Sequence, residues 1–142
     1  MFVPASSKLK WGLLAWLLLG LAGCSSSSKG DRQDWQILLE ESASLAADAQ
    51  HFLTLVSGGA APHNFTHEHV QHLQKQVADL QKDVSRKLTR PERTRLSEIA
   101  ERLSQQVNQL EKDPATWDLA RLREGFAAVQ ADLQRLSTEA AP

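Results

Sequence analysis

Apolar residues recur at steps of three and four over most of the chain between residues 35 and 136, a spacing typical of one face of an α-helix. The pattern falls into four stripes separated by polar, glycine-containing or proline-containing segments. The stripes consist of Trp35, Leu38, Ser42, Leu45, Ala49, Phe52 and Val56; of Val70, Leu73, Val77, Leu80 and Val84; of Leu96, Ile99, Leu103, Val107 and Leu110; and of Leu119, Leu122, Phe126, Val129, Leu133 and Leu136. No segment alternates as a β-strand does. We therefore predict four amphipathic helices.

Residues that favour helix ends separate the stripes. Gly58, Gly59 and Pro62 follow the first stripe and predict a break there, because glycine and proline end helices. The predicted N-terminal caps are Asp31 or Asp34 for the first helix, Asn64 or Thr66 for the second, Thr89 in a capping box with Glu92 for the third, and Asp113, followed by Pro114 at the first helical position, for the fourth.

The short connection around Thr89 requires the second and third helices to run antiparallel. We therefore predict an all-α fold, an antiparallel up-down-up-down four-helix bundle over residues 31–138, with a short tail at 139–142. A three-helix arrangement with one helix docked elsewhere is the alternative. Leu39, Ala46 and Leu53 widen the apolar face of the first helix, which indicates either deeper burial or a strip that binds a partner helix.

A different apolar pattern precedes these helices. The run Trp11–Gly23 follows Lys8 and Lys10 and ends in small residues, so residues 1–23 are predicted to form a secretory signal peptide. A membrane-spanning helix needs about 20 apolar residues, and this run is too short for one.

The end of the run carries a specific motif. Leu21, Ala22, Gly23 and Cys24 resemble the lipobox of bacterial lipoproteins at all four positions. The resemblance implies that the Cys24 sulfur receives diacylglycerol, that the chain is cleaved before Cys24, and that the new amino terminus is acylated. Since Ser25 and not aspartate follows, the resemblance implies an outer-membrane lipoprotein that faces the periplasm of a double-membrane bacterium.

Composition limits the partners of the mature chain. Because Lys8 and Lys10 leave with the signal peptide, the 16 Lys and Arg fall to 14 against 17 Asp and Glu, a formal charge of −3. Nucleic acid is therefore not an expected partner.

Cys24 is the only cysteine, so no disulfide is expected. Residues 24–30, rich in serine, are predicted to form the lipidated end and a flexible tether.

Enzyme motifs are missing from the sequence, and we predict that the protein is not an enzyme and has no resident cofactor. The stripes contain no ionisable residue and no inward His or Met for a haem. The segment from His67 to Gln71 resembles the metalloprotease motif His-Glu-x-x-His, but Gln71 replaces the second ligand.

Two clusters of side chains stand out. His63, His67, His69 and His72, with His51 nearby, are candidate ligands for zinc, copper or nickel. Helical spacing places His69 and His72 about 60° apart but His67 far from both, which favours a solvated helix start over a metal site.

The second cluster surrounds the turn between the second and third helices and consists of Arg86, Lys87, Arg90, Arg93 and Arg95. It is either simply solvated or proximal to the membrane, since the first helix begins near the lipid anchor.

These observations favour a non-enzymatic, lipid-anchored helical module that binds the membrane through Cys24 and interacts with another envelope protein. Secretion pilotins, which escort an outer-membrane channel subunit, share this shape and location, although no pilotin motif is present. The alternative function is a periplasmic metal-binding lipoprotein that uses the histidine region.

Overall fold

The computed structural model describes the backbone of residues 27–139 and the side chains of residues 32–139. Within residues 27–139 the fold is all-helical, with no strand. The four helices are α1 (Ser27–Ser57), α2 (His63–Lys87), α3 (Glu92–Gln109) and α4 (Leu119–Glu139), and a short 3-10 turn covers Pro114–Thr116. The predicted signal peptide, the lipobox and the last three residues lie outside the described residues.

Backbone contacts divide the chain into two units, Met1–Gln33 and Asp34–Pro142. Of the first unit the structure describes only helical backbone from Ser27 onward and two side chains. We call residues 34–139, the described part of the second unit, the helical unit.

The predicted stripes form the core of the helical unit. All of their members are buried except Val56 and Leu119, which are half-buried and pack against the core. Leu39, Ala46 and Leu53 are also buried, at 6%, 0% and 0% exposure, so the wide apolar face of α1 reflects deeper burial and not an open strip. The sequence pattern missed Ala100, which is fully buried on α3.

Two polar core residues satisfy their hydroxyl groups within their own helices. Ser42 is fully buried, and its Oγ donates a hydrogen bond to the Leu38 carbonyl at 2.6 Å. Thr66 Oγ1 donates to the Pro62 carbonyl at 3.2 Å. A buried hydroxyl without a partner would be costly, and these local bonds explain why both residues are tolerated inside.

Contacts between helices link specific positions. Between α2 and α3, Gln81 Nε2 donates to Glu101 Oε2 at 3.1 Å, and Gln74 Nε2 donates to Asn108 Oδ1 at 3.2 Å. Later positions on α2 therefore meet earlier positions on α3.

Two ion pairs link α3 and α4, and here too earlier positions on one helix meet later positions on the other. Arg95 Nη1 lies 3.5 Å from Glu139 Oε2, and Arg102 pairs with Asp132. The end of α1 lies close to the start of α4, where Arg123 Nη2 donates a hydrogen bond to Ser57 Oγ at 3.0 Å.

Helices α3 and α4 meet at a glycine. A Cβ atom added at Gly125 would overlap the side-chain amide of Gln106. Gln106 occupies the place in the third stripe where the heptad pattern calls for an apolar residue, and the missing side chain at Gly125 leaves room for its amide. The structure thus accounts for the irregularity in that stripe.

The end of α1 follows the prediction. Gly59 adopts a left-handed φ of 71°, the Ala60 N–H donates to the Leu55 carbonyl at 3.2 Å, and the Gly59 N–H donates to the Val56 carbonyl at 3.1 Å. This pair of bonds is the Schellman motif, which ends a helix at a residue in the left-handed region.

Three predicted N-terminal caps are wrong. Helix α1 begins at Ser27, so Asp31 and Asp34 lie inside the helix, and the tether is helical at residues 27–30. Adding a polar residue to an existing helix costs at most about 1 kcal/mol even for glycine, so the helix extends beyond its apolar stripe.

Pro62 and Pro91, which have no side-chain acceptor, occupy the cap positions of α2 and α3. Asn64 and Thr66 therefore lie within α2, and neither caps it. At α3 the Arg93 N–H donates to the backbone carbonyl of Thr89 at 3.0 Å, so the main chain replaces the predicted capping box.

The cap at Asp113 is confirmed, but for a shorter element. Asp113 Oδ1 accepts from the Ala115 N–H at 3.1 Å, and Pro114 occupies the first position of the 3-10 turn. Helix α4 starts later, and its cap is Asp118, whose Oδ1 accepts from the Arg121 N–H at 3.2 Å. The sequence offers two aspartates five residues apart, and each one starts a separate element.

Candidate functional site

An aromatic group lies where α1 ends and α2 begins. It comprises Phe52 of α1, Phe65 and His69 of α2, and Trp117 just before α4, and we call it the distal cluster. The Phe52 ring is 4.7 Å from His69, 6.5 Å from Phe65 and 6.1 Å from Trp117 between centroids. Phe52 is buried at 1% exposure, whereas Phe65 is 41% exposed. The cluster therefore joins the core to an apolar surface.

His69 is held between two rings. Its imidazole stacks on Phe52 and, at 5.4 Å and 21°, on Phe65. Its Nε2 lies 3.4 Å from Asp48 Oδ2, yet the geometry of this contact is not that of a hydrogen bond, and the nitrogen is buried without a partner. The histidine is thus built into the packing of the cluster by both faces of its ring.

The other histidines point to different places. His67 Nε2 contacts the side-chain amide of Gln71 at 3.1 Å, and the His72 ring lies 6.4 Å from the His69 ring. His63 and His67 line a groove of about 360 Å³ between the start of α2 and the segment after α3, while His51 is exposed on α1.

The proposed metal ligands His63, His67, His69 and His72 are therefore not brought together. In residues 27–139 no three His, Cys, Asp or Glu side chains are placed to hold a metal ion. The helical rotation of 100° per residue explains the separation, since it turns His67 and His69 to different sides of α2. The geometry gives the metal-binding alternative no support.

The groove at the distal end has an apolar floor and a mixed rim. Val70 and Leu110 form its buried base, and Glu111, Lys112 and Asp113 contribute charges of both signs. Trp117 lies close to the groove, and its indole Nε1 donates to the carbonyl of Lys112 at 2.9 Å. Phe65 does not line this groove, and its exposed ring lies with Phe52 and His69 on another side of α2.

The basic residues lie at the other end of α2. Residues 88–91, together with the cations in and beside them, form a segment that we call the basic turn. Its five cations are Arg86, Lys87, Arg90, Arg93 and Arg95. Arg86 and Lys87 both pair with Asp83, at 3.0 and 3.6 Å, and Arg95 pairs with Glu139. Helix α2 has 25 residues, so at about 1.5 Å per residue the basic turn stands roughly 35 Å from the first turn of α2.

Sequence reasoning found part of this arrangement. The histidine-rich start of α2 was evident from the sequence. The stacking of His69 between Phe52 and Phe65 was missed, although the four-residue spacing of Phe65 and His69 places them on one helix face. Cys24, the predicted lipid attachment site, lies outside the described residues.

Comparison with protein-family models, with curated proteins and with solved structures gives no match for this chain. None of the helices within residues 27–139 combines the length and apolarity needed to cross a membrane. The function is therefore argued from the residues themselves.

Proposed function

We propose that the protein is a non-enzymatic lipoprotein of the outer membrane, anchored through acylated Cys24, that presents its helical unit to the periplasm and binds another envelope protein. The observation that carries this proposal is the lipobox Leu21–Cys24, placed at the end of an apolar run that follows two lysines. A single acyl chain binds a membrane only marginally, with an association constant of about 10⁴ M⁻¹, whereas several chains hold a protein stably.

We propose in addition that the four helices form an antiparallel up-down-up-down bundle. The crossed order of the contacts between α2 and α3 and between α3 and α4 supports it. For α1 and α2 the support comes from Asp48 beside His69 and from Phe52 beside Phe65, since the earlier residue on one helix meets the later residue on the other. In this arrangement the basic turn shares one end of the unit with Asp34, and the distal cluster occupies the opposite end.

A binding role fits the distribution of polar groups in the helical unit. The buried side chains of the helical unit are apolar except for Ser42 and Thr66. The ionisable groups of the unit are therefore on or near its surface. The distal end offers two separate features, the groove lined by His63 and His67 and the exposed ring of Phe65. Large apolar and aromatic side chains supply much of the energy of protein interfaces. An escort of a membrane protein, of the kind that pilotins provide, is the specific form of this proposal.

The anchor is tested by substitution of Cys24. The change Cys24→Ser should leave the precursor uncleaved or release the protein from the membrane fraction, because no acceptor for the lipid remains. Cells are labelled with a fatty-acid probe, and Ser25→Ala is the matched control that should keep the label. Absence of label on the wild-type protein would rule the anchor out.

The partner is tested by photo-crosslinking in cells from two positions. Phe65 and Ile37 are the exposed large apolar residues among the described side chains, at 41% and 48% exposure, so Ile37 is a matched control for Phe65. A photoreactive side chain at position 65 should give a discrete crosslinked product, and one at position 37 should not give that product. The same products from both positions, or none from position 65, would contradict a partner at the distal end.

A further inference from the structure

Two segments of the helical unit carry different net charge. Residues 82–98 contain six Lys and Arg and three Asp and Glu, whereas residues 108–124 contain three Lys and Arg and four Asp and Glu. The first segment includes the basic turn, and the second lies beside the groove at the distal end. The chain as a whole is slightly acidic, so residues 82–98 carry a local excess of basic charge.

Two cations of the basic turn are not paired. Arg86 and Lys87 share Asp83, and Arg95 pairs with Glu139. Arg90 and Arg93 form no ion pair with any residue whose side chain the structure describes. Arg90 is exposed at the tip of the turn, and Arg93 is half-buried. Their charge is available to an external anion.

Acidic groups from neighbouring helices leave these two arginines uncompensated. Helix α4 brings Asp132 and Glu139 towards this end, but Asp132 pairs with Arg102 and Arg135, and Glu139 is paired with Arg95. The other acids at this end are Glu92 beside the turn, Glu98 on α3, and Asp34, Glu40 and Glu41 on α1. None of them forms an ion pair with Arg90 or Arg93. The tip of the turn therefore presents an excess of positive charge.

The length of chain before the helical unit restricts where this charge acts. Only residues 25–33 lie between Cys24 and Asp34, and fully extended they would span about 35 Å at about 3.5 Å per residue. Because residues 27–33 are helical, the backbone spans less than this. In the proposed bundle the basic turn lies at the same end as Asp34. Acylation of Cys24 would thus keep the basic turn within reach of the membrane surface, and a tether of this length gives a high effective concentration of headgroups.

We propose that the basic turn lies on the anionic phospholipid headgroups of the leaflet that holds the lipid of Cys24, with Arg90 and Arg93 as the contacting cations. This inference rests on the proposed anchoring. Headgroup phosphates are the occupant because they form a continuous anionic surface beside the anchor, and a surface needs no shaped pocket. The consequence is an upright helical unit whose distal cluster points away from the membrane.

The test uses the full lipidated protein in vesicles that carry a quencher on the headgroup. Because Cys24 is the only cysteine and is acylated, Thr94→Cys and Ala61→Cys each add one site for a fluorophore, one beside the basic turn and one beside the distal end. In vesicles with phosphatidylglycerol the label at position 94 should be quenched severalfold more than the label at position 61. In vesicles of phosphatidylcholine alone the ratio should fall towards one, and high salt should lower it as well.

Charge reversal identifies the residues. Arg90→Glu with Arg93→Glu should shift the orientation equilibrium by about tenfold or more in anionic vesicles. Lys112→Glu with Arg121→Glu makes the same change of charge at the distal end and should leave the ratio high. Circular dichroism of both double variants checks that the helices are retained.

The possible failures are distinguishable. If the protein floats with the vesicles but quenching is equal at the two sites, is stronger at position 61, or does not respond to reversal at Arg90 and Arg93, the inference is overturned and the anchor stands. If the protein does not float with the vesicles, the anchoring is overturned and the inference falls with it.

Discussion

The two ends of α2 are built from different interactions. At the distal end the rings of Phe52, Phe65, His69 and Trp117 pack together, and Gly59 ends the preceding helix with a pair of backbone hydrogen bonds. At the basic turn the connection is short, no side chain caps α3, and the contacts outside the core are ion pairs between exposed groups.

This difference indicates that the aromatic packing contributes strongly to stability, whereas the surface charges at the basic turn contribute little. Aromatic packing that excludes water contributes several kcal/mol, whereas an exposed ion pair contributes about 0–1 kcal/mol. The distal end is thus held by aromatic packing around the core residue Phe52, whereas the ion pairs at the basic turn contribute little to stability. The charges at the turn can change with little effect on folding, which suits a surface whose role is contact with something outside the chain.

The largest expected effect is at the centre of the distal cluster. Phe52→Ala should lower the free energy of unfolding by about 3–5 kcal/mol, because it removes a buried ring and leaves a cavity among three other rings. Urea denaturation followed by circular dichroism measures the change. Phe65→Ala is the control and should cost clearly less, since Phe65 is 41% exposed. Equal costs would contradict the assignment of Phe52 as the anchor of the cluster.

The next effect concerns the end of α1. Gly59→Ala should cost about 1–2 kcal/mol, because the φ of 71° at Gly59 is unfavourable for a residue with a side chain. Gly58→Ala is the matched control one residue earlier, with no positive φ, and should cost less even though its new Cβ would lie 3.3 Å from the Thr54 carbonyl oxygen. A larger loss for Gly58→Ala would show that the Schellman motif does not determine this end.

These comparisons also show what the sequence was able to predict. The four helices and nearly all buried positions follow from the three-and-four spacing, because burial of one helix face is what that spacing reflects. The stop after Ser57 follows from glycine chemistry. The caps at Thr66 and Thr89 were wrong because a capping residue type is common, whereas the position of the first helical residue depends on backbone hydrogen bonds that the sequence does not display.

The candidate sites were less predictable for a related reason. The histidines were close in sequence, but the rotation of α2 sends them to different surfaces, and His69 was placed by contacts with α1 that sequence spacing does not contain. The charge of the basic turn was evident from composition. Which of its cations are paired depends on Asp83 within α2 and on Glu139, which lies 44 positions after Arg95.

A smaller effect is expected at the cap of α4. Asp118→Ala should cost about 1 kcal/mol, because Asp118 Oδ1 accepts the Arg121 N–H at the start of the helix. Thr89→Ala is the corresponding change at the start of α3 and should be close to neutral, since its side chain makes no capping bond. The midpoints of urea denaturation of the two variants give the comparison. A loss at Thr89 as large as at Asp118 would restore the predicted capping box.

The smallest effect is expected at the basic turn. Glu139→Gln removes the ion pair with Arg95, whose two side chains are 57% and 52% exposed, and should change the free energy of unfolding by at most about 0.5 kcal/mol. Thermal denaturation at low and high salt provides the measurement. A loss of several kcal/mol would mean that this end is held by its charges, and the contrast between the two ends would not stand.

We propose that a lipid on Cys24 holds the helical unit at the membrane. Mass spectrometry of the N-terminal peptide, taken from protein extracted from membranes, tests this directly. We expect a peptide that begins at Cys24 and carries the mass of a diacylglycerol thioether together with one amide-linked acyl chain. A peptide that begins elsewhere, or one that begins at Cys24 with an unmodified thiol, would contradict it.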